Sequence, residues 1–330
     1  MNKFLKDLEK ELKKLNVSTK ETEEILADHK EMMEAAKQEG LTEDEMSEKF
    51  GNPTKVASEI SQDSKEGKTK VNLEGIESIA KYDTDKFSLV NTFQLVSDLK
   101  EFSVKLVNDD FILADHDEDY IQVFEEKIKD IEEYEISVTN NKFLLKRKSK
   151  KIHNSVFNSS KKSGTFLVLM PKSVALEEFD YHTVNGEVNA NQLVTKKFAL
   201  KSTNGDLQFS NVKLGEAKFS LVNGDIKVQG FKASSLDVSL VNGDVKFQKG
   251  IVDGDLYFNS VSGDTTLIDV EGNAAAFKTV SGDLDGKNFY IKEISLKSVS
   301  GDVNISNDDK TREIKVKNKK TLSGDININK

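Results

Sequence analysis

The C-terminal half of the chain places its large apolar residues at fixed distances from a recurring glycine. An acid follows each of these glycines, which are Gly186, Gly205, Gly224, Gly243, Gly263, Gly282, Gly301 and Gly324. Apolar residues stand two and four positions after most of them, as Leu207 and Phe209 do, and this alternation predicts strands with one face in a core. Further apolar residues stand five before and seven after the glycine, so each unit is predicted to hold a strand, a turn, a second strand and a return.

The spacing of the glycines is 19, 19, 19, 20, 19, 19 and 23 residues, which is typical of a repeat architecture. Two folds satisfy such a repeat. In a β-solenoid, equivalent residues of successive coils stack about 4.8 Å apart. In a string of hairpins, each Asn-Gly is a type I′ turn. The constant length of the connections favours the solenoid, because a slip of one residue would turn the core face outward.

The acids after the glycines would form a ladder of carboxylates along a solenoid. Stacked carboxylates are potential calcium ligands. The same Asn-Gly-Asp and Ser-Gly-Asp sequences are also turn chemistry, in which the acid accepts hydrogen bonds from nearby backbone. We favour the turn, with the eight glycines as structural residues, because calcium-binding repeats use a nine-residue glycine-rich unit that is absent here. We predict no metal site and no cofactor.

The remainder of the chain divides into three segments. Residues 1–62 are predicted to form a small four-helix bundle, with a capping box at Ser18 and Glu21 and an N-cap at Asn52. Residues 63–70 are a polar linker. Residues 71–180 read as strands without a period, forming an irregular β cap or first coils, and residues 181–330 are the repeats. The predicted fold is mainly β, a single-stranded β-solenoid with coils of about 19 residues preceded by the bundle.

Composition limits the possible functions. The 330 residues include no Cys, so neither disulfides nor thiolate metal sites are possible, and the net charge of −9 argues against a nucleic-acid binder. The charged N-terminus lacks the apolar core of a signal peptide, and no apolar run spans a membrane. We expect a protein in the cytoplasm or peripheral to the membrane, with the cell surface, reached by non-conventional export, as the alternative.

Three groups of polar residues are candidates for chemistry. The acidic stretch 115–119, with Glu126, begins like a calcium loop, but Tyr120 stands where that loop needs glycine. Four scattered histidines form no catalytic constellation, and no nucleophile or phosphate-binding motif is present, so we predict that the chain is not an enzyme. A basic run, which could contact an anionic lipid or wall polymer, comprises Lys146, Arg147, Lys148, Lys150 and Lys151.

Two stretches of the sequence resemble known families. The run Phe166–Pro171, the first corner Thr183–Val188 and later corners such as Thr279–Asp283 resemble DUF4097, a family of bacterial β-strand-repeat proteins often labelled putative adhesins. Residues 1–62 resemble the helical HAAS module, also called DUF1700, through Phe4–Leu8, Gly40–Glu45 and Phe50-Gly51-Asn52-Pro53.

The two resemblances together imply a role in cell-envelope stress signalling of Gram-positive bacteria. We therefore expect a non-catalytic binding or scaffold protein, whose helical module contacts a protein partner through Met32, Met33 and Phe50. The solenoid would supply a rigid binding face, or an edge for homo-oligomers. The alternatives are a surface adhesin or envelope-ligand binder and, less favoured, a solenoid enzyme acting on polysaccharides.

Overall fold

A computed structural model describes residues 2–14, 22, 25–27, 29–30, 33, 52–54, 56, 84–95, 99–148 and 164–328. The chain divides into two compact units, Met1–Val71 and Asn72–Lys330. The predicted linker at 63–70 lies outside the described residues. No helix among the described residues is both long and apolar enough to cross a membrane.

The first unit is helical. Helix α1 runs from Asn2 to Lys14 and buries Leu8 and Leu12 completely, on the apolar face that the sequence predicts. The partly buried side chains packed against these leucines are Phe4, Ile25, Leu26 and Val56. The predicted N-cap at Asn52 is present, since its Oδ1 accepts the Thr54 backbone N–H at 2.8 Å.

The prediction of a four-helix bundle is wrong. Among the described residues, only α1 has both ends defined, and the other helical residues are isolated or in short stretches at 22, 25–27, 29–30, 33, 53–54 and 56. The predicted third helix, from Thr42, and the cap at Ser18 lie outside the described residues. A module of this size buries little apolar surface, and short helices depend on such burial because isolated ones are marginal in water. Helical periodicity in the sequence was therefore not sufficient to predict a four-helix bundle.

The second unit is almost entirely β. Its two short 3-10 helices are Thr84–Lys86 and Ile131–Glu133. Its strands are β1 Ser88–Gln94, β2 Glu101–Lys105, β3 Asp110–His116, β4 Tyr120–Glu126, β5 Tyr134–Thr139, β6 Lys142–Arg147, β7 Thr165–Pro171, β8 Leu176–Asn185, β9 Val188–Asn191, β10 Val194–Asn204, β11 Leu207–Asn223, β12 Ile226–Asn242, β13 Val245–Val252, β14 Asp255–Ser262, β15 Thr265–Glu271, β16 Ala274–Ser281, β17 Leu284–Tyr290, β18 Glu293–Ser300, β19 Val303–Ser306, β20 Lys315–Lys320 and β21 Ile326–Ile328.

The repeats pair in parallel, one coil with the next, so the solenoid is confirmed and the string of hairpins is wrong. Strands before each glycine form one stack, the pre-corner stack, from β2 through β8, β10, β11, β12, β14, β16 and β18 to β20. Strands after each glycine form the post-corner stack, from β3 through β9, β11, β12, β13, β15, β17 and β19 to β21. Strands β11 and β12 are long enough to belong to both.

One core fills the solenoid. The predicted positions five before and seven after the glycine are buried, as Phe219 and Phe231 show. Phenylalanines of neighbouring coils stack directly, with ring centroids 5.4 Å apart for Phe179 and Phe198 and 4.9 Å apart for Phe258 and Phe277. Because equivalent positions lie above one another, a large side chain in one coil packs against its own counterpart in the next.

The N-terminal end of the solenoid changes pairing direction. Strand β4 pairs antiparallel with both β1 and β7, and β5 pairs antiparallel with β6, beyond the parallel pairs β3–β7 and β2–β6. These strands cover the end of the core, as expected for a capping segment. The five strands predicted between residues 102 and 170 are all strands here.

The single 23-residue interval reflects an added loop after β19. The amide of Asn307 bonds both backbone groups of Phe289, donating to its O at 3.0 Å and accepting from its N–H at 2.8 Å. Arg312 lies over the Tyr290 ring, 4.1 Å from its centroid, and bonds both carboxylate oxygens of Glu271. The loop packs on the coils, and the register of the strand that follows it shifts by one residue, between the pairs Ile294–Val316 and Ser295–Asn318.

Candidate functional site

The corner ridge is the surface formed by the residues from two before to one after each glycine. It runs along the solenoid because every coil contributes the same four positions. Among the described residues, the side chains of this ridge face solvent, and their types repeat from coil to coil. The ridge is therefore the candidate site.

The glycines of the ridge stack on one another. All eight have a positive φ, between +112° and +150°, which L side chains rarely adopt. In each of the last seven, a Cβ would overlap the carbonyl oxygen of the preceding glycine, as at Gly243 over Gly224. Both the backbone conformation and the distance between coils therefore require glycine.

The residues before the first four glycines form an asparagine ladder. Each side-chain amide donates to the amide oxygen of the preceding coil, at distances from 2.6 to 2.9 Å. The ladder starts at Asn108 and continues through Asn185, Asn204, Asn223 and Asn242. From Ser262 onward serine replaces asparagine at this position.

The acids after the glycines form the predicted ladder, but its hydrogen bonds join neighbouring coils rather than nearby backbone of the same turn. From Asp206 to Asp302, each corner carboxylate uses Oδ1 to accept the backbone N–H of the next coil's acid, as Asp225 does from Asp244 at 3.0 Å. The same bond occurs in seven pairs, with distances of 2.7–3.0 Å. The Asp244 N–H is the main cause that lowers the pKa of Asp225. The described residues contain no group of acids or histidines arranged to hold a metal ion.

Sequence reasoning missed the first corner of the ridge, Asn108-Asp109-Asp110. Strand register aligns this corner with Asn185-Gly186-Glu187, 77 residues later, and Asp110 accepts the Glu187 N–H at 2.9 Å. The signal was present, since Leu106–Asp110 reads Leu-Val-Asn-Asp-Asp where Leu221–Asp225 reads Leu-Val-Asn-Gly-Asp. The long excursion through β3–β7 hid it from a search for a fixed period.

Asp109 stands where every later corner has glycine. Its φ is not positive, and its side chain is buried, 5% exposed, with Oδ2 accepting the Tyr134 hydroxyl at 2.6 Å. Burial, followed by this bond, raises the pKa of Tyr134. The first corner is thus joined to the cap by a buried polar contact.

A second feature missed by sequence reasoning is the exposed valine row. Two residues before the glycine, the side chains face solvent and are 39–48% exposed, and they are Val184, Val222, Val241, Val261, Val280 and Val299. Thr203 holds the same position in the remaining coil of this series and has the same branched shape. The signal was the repetition of a β-branched residue at this position in seven of the eight units, with Leu322 in the last.

The other predicted sites lie apart from the ridge. The acidic loop 115–119 places Lys172 Nζ 3.0 Å from Asp117 and 3.8 Å from the buried Asp115. An ammonium group therefore occupies the position a cation would take, and the predicted acidic turn describes this loop better than a calcium site does. His116 is buried and bonds the Tyr120 carbonyl through Nε2 at 2.6 Å, and burial lowers its pKa.

The basic run is partly described. Lys146 pairs with Glu135 at 3.0 Å, Arg147 pairs with Glu133 at 2.9 Å, and Lys148 donates to the Glu132 carbonyl at 2.8 Å. Lys150 and Lys151 lie outside the described residues. The three described cations are thus already engaged by β5 and the turn before it, which leaves less charge for an anionic ligand.

Of the three residues predicted to contact a partner, Met33 is buried, 4% exposed. Met32 and Phe50 lie outside the described residues. The partner contact therefore stays a prediction, and the burial of Met33 is the packing role expected of a methionine in a small core.

The fold and its ridge define a class: β-solenoid repeat proteins that present an extended, regular surface. The family model described as Toastrack DUF4097 matches residues 100–249 and 232–330. The chain therefore belongs to the DUF4097 family. Residues 3–59 match the HAAS family model.

Comparison with solved structures finds one with a TM-score above 0.5, which shares the fold. A "putative lipid binding protein" from Parabacteroides distasonis matches at 17% identity with a TM-score of 0.52, covering 74% of this chain and 95% of its own. A "putative adhesin" from the same species matches at 14% identity with a TM-score of 0.40, covering 73% of this chain and 97% of its own. No curated protein matches the chain.

Proposed function

We propose that this protein is a non-catalytic binder of a cell-envelope ligand, acting in the manner of an adhesin. The observation that carries the proposal is the corner ridge, a regular surface that repeats over eight glycine corners and whose corner acids are committed to backbone hydrogen bonds. Such a surface suits an extended ligand better than a small substrate. The names of the family's solved members, an adhesin and a lipid-binding protein, support this class of function.

The experiment is retention of the purified full-length chain on isolated envelope material. Cell-wall fragments, anionic vesicles and zwitterionic vesicles are sedimented separately with the protein at low and high salt. We expect retention on at least one of the three that saturates with protein concentration. Recovery of all the protein in every supernatant would contradict the proposal.

The basic run supplies the matched variants for this test. If anionic lipid or wall polymer is the ligand, neutralising Lys150 and Lys151 weakens retention more than neutralising Lys146 and Lys148, which are already engaged. Retention that depends on salt would agree with such a contact. Retention unaffected by either pair of substitutions would assign binding to the solenoid surface.

Envelope stress signalling is a second proposed function, and the HAAS match at residues 3–59 favours it. In this proposal the helical module binds a protein partner while the solenoid holds the ligand. Cross-linking of the full chain in native cells, followed by identification of partners attached through residues 1–62, would test it. Cross-links confined to residues 72–330 would count against a partner for the helical module.

A further inference from the structure

The valine row lies between two rows of opposite charge. Two residues before the six valines and Thr203, on the same outward side of the pre-corner stack, stand His182, Lys201, Ser220, Ser239, Asn259, Lys278 and Lys297, so this row is cationic at its lysines, Lys201, Lys278 and Lys297. Three residues after each valine stands the acid of the corner. Within the described part of the chain, neither the three lysines nor Asp264, Asp283 and Asp302 make an ion pair. The row is therefore an apolar line with unpaired cations on one side and unpaired anions on the other.

In the middle coils the outward side chains beside the valines are short. A shallow groove of about 450 Å³ follows the row there, lined by Val222, Val241 and Val261, by Ser220, Ser239 and Asn259, and also by the longer Lys201. The largest side chain nearby, Tyr257, donates its hydroxyl to Asp255 at 3.1 Å, which holds the ring along its own strand and away from the valines. Short side chains let a second sheet approach to the usual distance of about 10 Å.

We propose that this face, the valine face, is the interface of a homodimer in which two solenoids pack pre-corner stack against pre-corner stack. A second copy matches the face because its coils have the same spacing, so every valine meets a valine along the whole length. A partner with any other repeat would fall out of register after a few coils.

Charge selects how the second copy is oriented. If it is turned over about an axis parallel to the solenoid, the lysine row of each copy faces the acid row of the other. If the second copy is instead turned over about an axis that lies in the face and runs along the strands, perpendicular to the solenoid, lysines face lysines and acids face acids. Only the first arrangement is favourable, and it pairs Lys278 with Asp283 and Lys297 with Asp302 of the facing copy.

The size of the face agrees with a stable dimer. Seven coils from Val184 to Val299, each presenting a strand of about eight residues, cover about 750 Å² at the usual strand spacing and rise. A standard interface buries about 800 Å² on each partner. The valines supply a central apolar line, and the charged rows form its rim.

Sedimentation velocity of the full-length chain over a concentration series tests the proposal. We expect a species of twice the 36.9 kDa chain mass that dissociates on dilution. The double variant Val241→Lys and Val261→Lys should be monomeric with an unchanged far-UV spectrum, since both side chains are exposed, and its melting midpoint should equal that of the wild type at concentrations where the wild type is dissociated. The control Gln208→Lys and Gln229→Lys adds the same charge to the post-corner stack and should remain dimeric.

A second pair of substitutions tests the orientation. Lys278→Glu with Lys297→Glu should weaken dimerisation at least about tenfold, because like charges would then meet across the interface. Tighter dimerisation of this variant would overturn the proposed orientation.

The proposal fails if the wild-type chain is monomeric at about 100 μM, where even a weak dimer would form. It also fails if the valine variant remains dimeric. A monomeric wild type whose valine variant loses retention on envelope material would assign the face to the envelope ligand. Because retention is measured separately, loss of the dimer leaves the proposed binding function intact.

Discussion

The first corner and the later corners of the same ridge are built differently. From Gly186 to Gly324 the corner has a positive φ and stacks against its predecessor, and only glycine fits. At the first corner Asp109 has an ordinary φ, and its side chain bonds Tyr134 of the cap. Glycine is therefore demanded by the stacking of one corner on another, while a corner that meets the cap can use a side chain to bind it.

The largest effect should follow from adding one methyl group to a stacked corner. In Gly243→Ala the new Cβ meets the backbone carbonyl of Gly224, which cannot move without disturbing the preceding coil. Together with the positive φ, this should lower the free energy of unfolding by about 3 kcal/mol or more, measured by denaturant melts.

Gly286→Ala is the matched control. This glycine is also buried in a coil, but its φ is not positive, and a Cβ would lie 3.2 Å from side-chain atoms of Ile305 and Phe289 that can adjust. We expect a cost of about 1 kcal/mol or less. Gly250, another glycine outside the corners, is less suitable because a Cβ there would overlap the Phe231 ring. Equal costs at Gly243 and Gly286 would refute the stacking requirement.

At the first corner, the sensitive group is Tyr134. Tyr134→Phe removes the only hydrogen bond that the structure gives to the buried Asp109 carboxylate from another side chain. The free energy of unfolding should fall by about 1–3 kcal/mol, because a buried acceptor is left without its donor. Tyr257→Phe is the control, since its hydroxyl also bonds an aspartate but the residue is 46% exposed, and it should cost less than about 0.5 kcal/mol. Similar losses of unfolding free energy in the two variants would mean that the buried Tyr134–Asp109 hydrogen bond stabilises the fold no more than the exposed Tyr257–Asp255 bond does.

The asparagine ladder should give a smaller effect. Asn223→Ala removes two ladder bonds, the one it donates to Asn204 and the one it accepts from Asn242. Both are exposed, so we expect a loss of about 1 kcal/mol in the same melts. Asn223→Ser should recover part of this loss, because serine occupies the position in the later coils. A serine variant less stable than the alanine variant would argue against this interpretation.

The smallest expected effect is the change in stability at acidic pH that depends on the Asp225 carboxylate. The pKa of Asp225 is lowered in the folded chain, so its carboxylate stabilises the fold at pH values above its unfolded pKa of about 3.9, and this contribution is lost as pH falls through the folded pKa. Asp225→Asn should therefore melt slightly below the wild type at pH 7, and the two midpoints should converge toward pH 3. A gap that widens on acidification would reverse the sign and contradict the assignment.

Much of the solenoid could be predicted because its rules are local and repeated. Each coil packs against a similar neighbour, so the same core positions and the same glycine corner recur in every unit of the sequence. A second left-handed corner, six residues after the glycine, was not predictable from residue type, since its positions hold Gln192, Asn211, Gly230, Lys249, Asp269 and Asn288.

Prediction was weaker wherever a residue's role depends on a distant segment. Asp109 meets Tyr134 only after the chain has passed through β3 and β4, and no periodicity encodes that contact. The exposed valines, in contrast, follow from ordinary strand alternation, because they stand an odd number of residues after the buried position five before the glycine. For the helical unit, periodicity indicated the buried face of α1 but not how many helices the small core supports.

The central claim is that the repeated glycine-acid sequence is a structural device rather than an ion site. The most direct test is thermal unfolding of the full chain at increasing calcium concentration. The reference is a sodium chloride series of matched ionic strength that contains no divalent cation. We predict the same melting midpoint in both series, because the corner carboxylates from Asp206 to Asp302 already accept a backbone N–H from the next coil. A midpoint that rises with calcium and follows a binding isotherm would contradict the claim, since a ligand of the folded state must stabilise it.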